Sequence, residues 1–165
     1  MKNNAIVFAM KHHGKQKRKY TNEPYINHCI NVGNTLYKYG VPDYVVVAAI
    51  LHDVLEDTSC KPEEIENEFG LDVLRLVLEV TDISKPEDGN RAKRKEIDKQ
   101  HLAKASVYGQ TIKLADLIDN APSILRYDPN FAKVYMKEKE DLLKVLVKGD
   151  YRLYDIAKKS VEAYE

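Results

Sequence analysis

The chain has 165 residues, enough for one domain around one core and too few for two of ordinary size. Its 26 lysines and arginines balance 26 aspartates and glutamates, so no global field draws it to nucleic acid or an anionic membrane, and any basic site has to be local. Two cysteines, Cys29 and Cys60, make no disulfide framework, the N-terminal stretch lacks a signal-peptide apolar run, and nothing approaches the roughly 20 apolar residues that cross a bilayer; a cytoplasmic protein with free thiols is expected.

In chain order the apolar pattern is helical nearly throughout, with most prolines and glycines between the periodic segments, and no strand is required. A first helix is expected over residues 4–15, burying Ile6, Val7 and Met10 and exposing His12, His13 and Lys15. Residues 14–23, GKQKRKYTNE, have no apolar period and read as a basic loop. Pro24 suits the first turn of a second helix that carries His28, has Ile26, Ile30, Val32 and Leu36 on its core side, and ends at Gly40. Asn27, Asn31 and Asn34 are not all expected to be buried there.

A central helix is expected from about Asp43 to Asp57, because residues 45–51, VVVAAIL, are apolar around the whole circumference. A short helix follows, with Pro62 near its start, Gly70 as its stop, and Ile65 and Phe69 as a packing pair. Residues 71–83 read as a buried helix with Val73, Leu76, Val77 and Val80 inward. Residues 84–100 are charged, and the cluster Arg91, Lys93, Arg94, Lys95 is at least partly helical. A strong apolar period returns over residues 111–124, where Pro122 should end or kink the helix. Two amphipathic helices close the chain, over residues 130–148 and 150–164, separated by Gly149. A single all-α domain over residues 1–165 is the expected organisation.

The chemistry enters where the central helix turns polar. His52, Asp53, Glu56 and Asp57 cover an arc of roughly 140° at about 100° per residue, so all four can face one cavity. Carboxylates at a helix C-terminus meet the negative end of its dipole, and burying them unpaired would cost several kcal/mol, roughly the stability of a small domain. A divalent cation is the economical partner. His28, mid-helix among apolar residues, is the natural first additional ligand. Asp116 is the natural last, in KLAD with Lys113 and Asn120 at helical spacing, and Asp119 competes with it one turn away.

These residues resemble a known family. His28, the pair His52-Asp53 and Asp116 match the H…HD…D signature of the HD-domain metal-dependent phosphohydrolases, an all-helical superfamily. EPYINH, AAILHDVLEDT, EVTD and KLADLIDN, in that order over residues 5–120, are similar to the hydrolase domain of the RelA/SpoT homologues, above all their small stand-alone alarmone hydrolases. The resemblance implies an HD-domain helical bundle. It also implies removal of pyrophosphate from the 3′ position of guanosine tetra- or pentaphosphate, in the stringent response, with manganese or another divalent metal. It makes His28, His52, Asp53 and Asp116 the metal ligands and Glu56 with Asp57 the catalytic acidic pair. Lys17, Arg18, Lys113, Asn120 and Arg94 become the substrate-binding candidates. The sequence departs from the family pattern at Cys29, where proline is usual, at Lys17, which stands for an arginine, and at Pro122.

Each feature has a bland competitor. His12, His13 and His101 stand beside lysines and are expected in solvent; Cys29 and Cys60 read as inert small residues. The run from Arg91 to Lys95 reads equally well as an exposed helix face, and the eleven tyrosines as core or rim. Three functions are therefore carried forward: alarmone hydrolase, HD-type nucleotidase or dinucleotide phosphatase, and a non-catalytic nucleotide-binding module. The partner in each is a nucleotide, with no nucleic acid or membrane; the pattern does not fix the oligomeric state.

Overall fold

A computed structural model describes residues 1–164. Among them the regular structure is helical, and the only β pairing is an isolated bridge between Lys17 and Pro24. The chain divides into two compact units, residues 1–81 and 82–165.

The first unit holds α1 (Lys2–His13), α2 (Ile26–Lys38), α3 (Asp43–Ile50), the single turn α4 (Val54–Asp57), α5 (Pro62–Phe69) and α6 (Leu71–Val80). Its centre is α3, which packs against α1, α2 and α6. Residues 45–51 are all buried, as their unbroken apolar run requires. At Gly33 on α2 an added Cβ would lie 2.6 Å from Ile50 Cγ1, so glycine is what lets α2 and α3 approach this closely.

The central helix is not continuous, contrary to the expectation from residues 43–57. It stops at Ile50 and restarts at Val54. His52 Nδ1 lies 2.7 Å from the Ala49 carbonyl, the acceptor that an unbroken helix would offer to the Asp53 amide. The segment tightens into i→i−3 bonds, Leu51 N to Ala48 O at 3.2 Å and Val54 N to Leu51 O at 3.0 Å.

The face of α1 also differs from expectation. Ala5, Phe8, Ala9 and His13 are buried, whereas Val7 is 66% and Met10 53% exposed. On α2 the buried positions are His28, Cys29, Val32, Gly33 and Leu36, with Ile26 and Ile30 only half-buried. Asn31 is exposed, as anticipated for at least one of the three asparagines. Pro62, Gly70, and the inner faces of α5 and α6 fall where the sequence places them. Gly70 has φ +91°, which favours glycine.

The second unit opens with a 3₁₀ turn (Pro86–Asp88) and contains α7 (Arg91–Ala103), α8 (Val107–Tyr127), α9 (Pro129–Leu143) and α10 (Tyr151–Glu162). Helices α8, α9 and α10 pack on one another. Side-chain caps start them: Ser106 on Gly109 N, Asp128 on Phe131 N, and Asp150 on Arg152 N. Buried Gln110 ties α8 to the last turn of α7 and to the connection between α9 and α10, donating to Leu102 O and Val145 O and accepting from Lys148 N. Pro122 does not end α8, which runs on to Tyr127. The proline ring is exposed, so the missing N–H falls on the helix side where water can meet the orphaned carbonyl.

Candidate functional site

Three donor side chains converge in the first unit. α2 brings His28, fully buried, and the break after α3 brings His52 and Asp53. His52 Nε2 lies 3.0 Å and His28 Nε2 3.6 Å from the same oxygen, Asp53 Oδ2. The ligand atoms of the three all lie within 4.8 Å of one another. With Nδ1 of His52 directed at Ala49 O, that nitrogen carries the proton, and Nε2 presents its lone pair toward Asp53, the usual arrangement of a metal-ligating histidine. Two neutral imidazoles and one carboxylate suit a first-row divalent cation, and the geometry fits such an ion.

The break in the helix lies at the ligand pair itself: His52 and Asp53 fall in the irregular segment between α3 and α4, where both meet His28. Glu56 and Asp57 follow on α4, both exposed.

Residues that the sequence pattern did not single out hold this cluster. Tyr25 donates its phenol hydrogen to Asp53 Oδ2 at 2.6 Å. Gln16 donates from Nε2 to Asp57 Oδ2 at 3.1 Å, and its Oε1 is 2.8 Å from His13 Nδ1. His13 Nε2 in turn meets the Cys29 thiol at 3.7 Å. The expectation that His13 is solvated is thus wrong: it is 6% exposed, because the chain turns at Gly14 and folds the basic loop back through Arg18 N to Glu23 O and Tyr25 N to Gln16 O. Lys17 and Arg18 belong to this folded-back loop, adjacent in sequence to Gln16, with Lys17 exposed. Although Asp57 as a residue is exposed, its carboxyl is partly shielded and is raised above the ordinary aspartate range, first by that loss of solvent and then by the like charge of Asp53, against the lowering effect of the Gln16 hydrogen bond.

In the second unit Asp116 is buried on α8 with both oxygens engaged, Oδ2 by Lys113 Nζ and Oδ1 by Asn120 Nδ2, each at 2.8 Å. Asp119, its competitor in the sequence, is only half-buried. Lys113, Asp116 and Asn120 line a cavity of about 260 Å³ whose wall also includes Lys95, Phe131 and Tyr135. Arg91, on the same wall, forks onto Glu138 at 2.7 and 3.0 Å and lies 5.4 Å from the centre of the Phe131 ring. Arg94 is half-buried and does not line this cavity; from the basic cluster Arg91 and Lys95 do. Burial raises the Asp82 carboxyl above its usual range, partly offset by Lys113.

An all-helical scaffold with a His-His-Asp cluster at a helix break defines a metal-dependent class of hydrolase folds. Residues 5–142 match the family described as HD domain. The chain belongs to the HD domain family, and the resemblance drawn from its motifs is borne out. It is 42% identical over 118 residues to a Drosophila melanogaster protein named guanosine-3′,5′-bis(diphosphate) 3′-pyrophosphohydrolase MESH1, covering 70% of this chain and 64% of that one. To the Homo sapiens protein of the same name it is 38% identical over 128 residues, 76% of this chain and 70% of that one. The match thus spans slightly less than two thirds of the fly relative's length. A solved structure of a metazoan SpoT orthologue, described as hydrolysing ppGpp, superposes with a TM-score of 0.84 at 30% identity, covering 96% of this chain and 92% of that one.

Proposed function

We propose that the chain is a single HD-type domain over residues 1–165 that hydrolyses guanosine tetra- and pentaphosphate to GDP or GTP plus pyrophosphate, acting in the cytoplasm in the stringent response. The observation that carries the reading is the convergence of His28 Nε2 and His52 Nε2 on Asp53 Oδ2, with an acidic pair one turn further on. The names of the relatives supply the substrate class.

In this reading His28, His52 and Asp53 hold a manganese ion or another divalent metal, with Asp116 as the fourth ligand on the strength of the H…HD…D order. The ion would supply Lewis acidity toward a phosphoryl oxygen and toward water. Asp57 and Glu56 orient the attacking water and take its proton; the raised pKa of Asp57 suits a group that must accept one. Water attacks the phosphorus carried by the 3′ oxygen, the bond between them breaks, the 3′ oxygen takes up a proton to become the ribose hydroxyl, and pyrophosphate is released carrying the water's oxygen. Lys113 and Asn120 keep Asp116 in place, and with Lys17 and Arg18 they contact the nucleotide.

The test is product identification by mass after incubating the manganese-loaded protein with a nucleotide panel. Guanosine tetraphosphate should give the 5′-diphosphate and pyrophosphate. Release of single phosphates, or preference for another nucleotide, would move the assignment to an HD-type nucleotidase. No turnover of any nucleotide would leave a binding module.

A further inference from the structure

A second group of metal-ligand side chains lies in the first unit, away from the His-His-Asp cluster. His12 stands in the last turn of α1, Cys60 in the connection after α4, and Glu64 in the first turn of α5. One donor atom from each, a ring nitrogen, Sγ and a carboxylate oxygen, lies within 4.8 Å of the others. His12 Nε2 is 3.8 Å from Glu64 Oε1. Donors bound to one tetrahedral zinc at about 2.0–2.3 Å stand roughly 3.3–3.8 Å apart, so small side-chain movements bring all three onto an ion.

The trio is held in place rather than loosely gathered. Glu64 Oε2 accepts from Lys61 N at 2.8 Å as a helix cap, which fixes the carboxylate and leaves Oε1 facing His12. The His12 ring packs on Phe8 with centroids 4.4 Å apart, and Phe8 meets the edge of Phe69 at 5.3 Å. Cys60 is 6% exposed, with Sγ 3.6 Å from Lys61 O. A groove bordered by Lys11, His12, Glu64 and Glu68 opens beside the trio and gives an ion a way in and a place for water as a fourth ligand.

We infer that His12, Cys60 and Glu64 form a second metal site, selective for a zinc-class divalent cation, that ties α1 to α5. A thiolate and a carboxylate beside a neutral imidazole match the charge of a divalent ion. The sulfur sets its preference: thiolate ligands favour zinc and cobalt over magnesium or manganese, whereas His28, His52 and Asp53 offer only nitrogen and oxygen. A cysteine binds a metal as the thiolate, so uptake of the ion displaces the thiol proton to solvent. The inference does not depend on the substrate proposed above.

The sulfur also supplies the test. The metal-stripped full chain is titrated with cobalt(II) alone, and the near-ultraviolet thiolate-to-cobalt charge-transfer band is followed; the His-His-Asp cluster has no sulfur and cannot produce it. The expected result is a saturable band in the parent and in Cys29→Ser, displaced by zinc, and absent in Cys60→Ser. Glu64→Gln keeps an oxygen for the Lys61 amide but removes the charge, so the band should persist with at least a tenfold weaker cobalt affinity. Circular dichroism melts confirm that each variant is folded. No band in the parent, or a band of parental strength in Cys60→Ser, overturns the site.

Discussion

Tyr25 donates its phenol to Asp53 Oδ2 at 2.6 Å, the oxygen on which the Nε2 atoms of His28 and His52 converge. A charge-assisted bond of this length fixes the carboxylate's rotation and thereby the donor set. Tyr25→Phe keeps the ring, which lies 5.5 Å from that of His28, and removes only the hydroxyl. Manganese affinity, measured by calorimetric titration, should fall about 10–100-fold, the usual cost of losing such a supporting partner, with unchanged far-ultraviolet circular dichroism. Affinity equal to the parent's would show that Asp53 does not depend on Tyr25.

A second chain of contacts, Cys29 to His13 to Gln16 to Asp57, reaches one member of the acidic pair. The Gln16 amide stabilises the ionised form of Asp57. Gln16→Ala should therefore raise the Asp57 pKa relative to the parent. A base that must be ionised then loses activity at a higher pH, so the acid limb of the kcat profile should move upward while KM changes little. An unmoved limb with an unchanged kcat would remove Gln16 from the mechanism.

These supporting residues were not legible in the sequence for a physical reason. Tyr25 and Asp53 are 28 positions apart, and Gln16 and Asp57 are 41; such partners are set by tertiary packing, which no local period reports. The ends of α5 were legible because Pro62 and Gly70 act through their own backbones. The face of α1 was misread because the larger residues Ile6, Val7 and Met10 suggest the core, whereas the residues α1 buries are Ala5, Phe8, Ala9 and His13. The ligand trio of the first unit was visible because His52-Asp53 interrupts a run too apolar to tolerate charge without a use. The break that aims it was hidden, since it depends on His52 capturing Ala49 O.

In the second unit, buried Asp98 anchors the segment before the 3₁₀ turn. Its Oδ1 accepts from Ile83 N and Ser84 N at 2.9 Å each, and its Oδ2 from the Ser84 hydroxyl at 2.6 Å. Asp98→Ala leaves these donors without their acceptor and should cost about 2–3 kcal/mol in urea unfolding. Asp98→Asn retains one carbonyl oxygen for the two amides and should cost less. Equal losses in both variants would show that charge, not the bonded geometry, holds the segment.

Lys139 gives the clearest pH dependence. Its side chain is 1% exposed, donates to Ser160 Oγ at 2.8 Å, and is pushed down to about 8 by burial alone. Between pH about 8 and the ordinary lysine value of 10.5 the unfolded chain binds the proton and the folded one does not, so stability rises with pH across that window. Below about 8 both states are protonated and the full penalty of the buried charge is present; its ceiling is about 3 kcal/mol. Lys139→Met fills a similar volume without the charge. At neutral pH the variant should be more stable than the parent by about 1–3 kcal/mol, and the advantage should shrink as pH rises toward that of free lysine. Denaturant unfolding across that range decides it: a parent whose stability does not rise, or a variant less stable at neutral pH, would mean that the bond to Ser160 outweighs the desolvation of the ammonium.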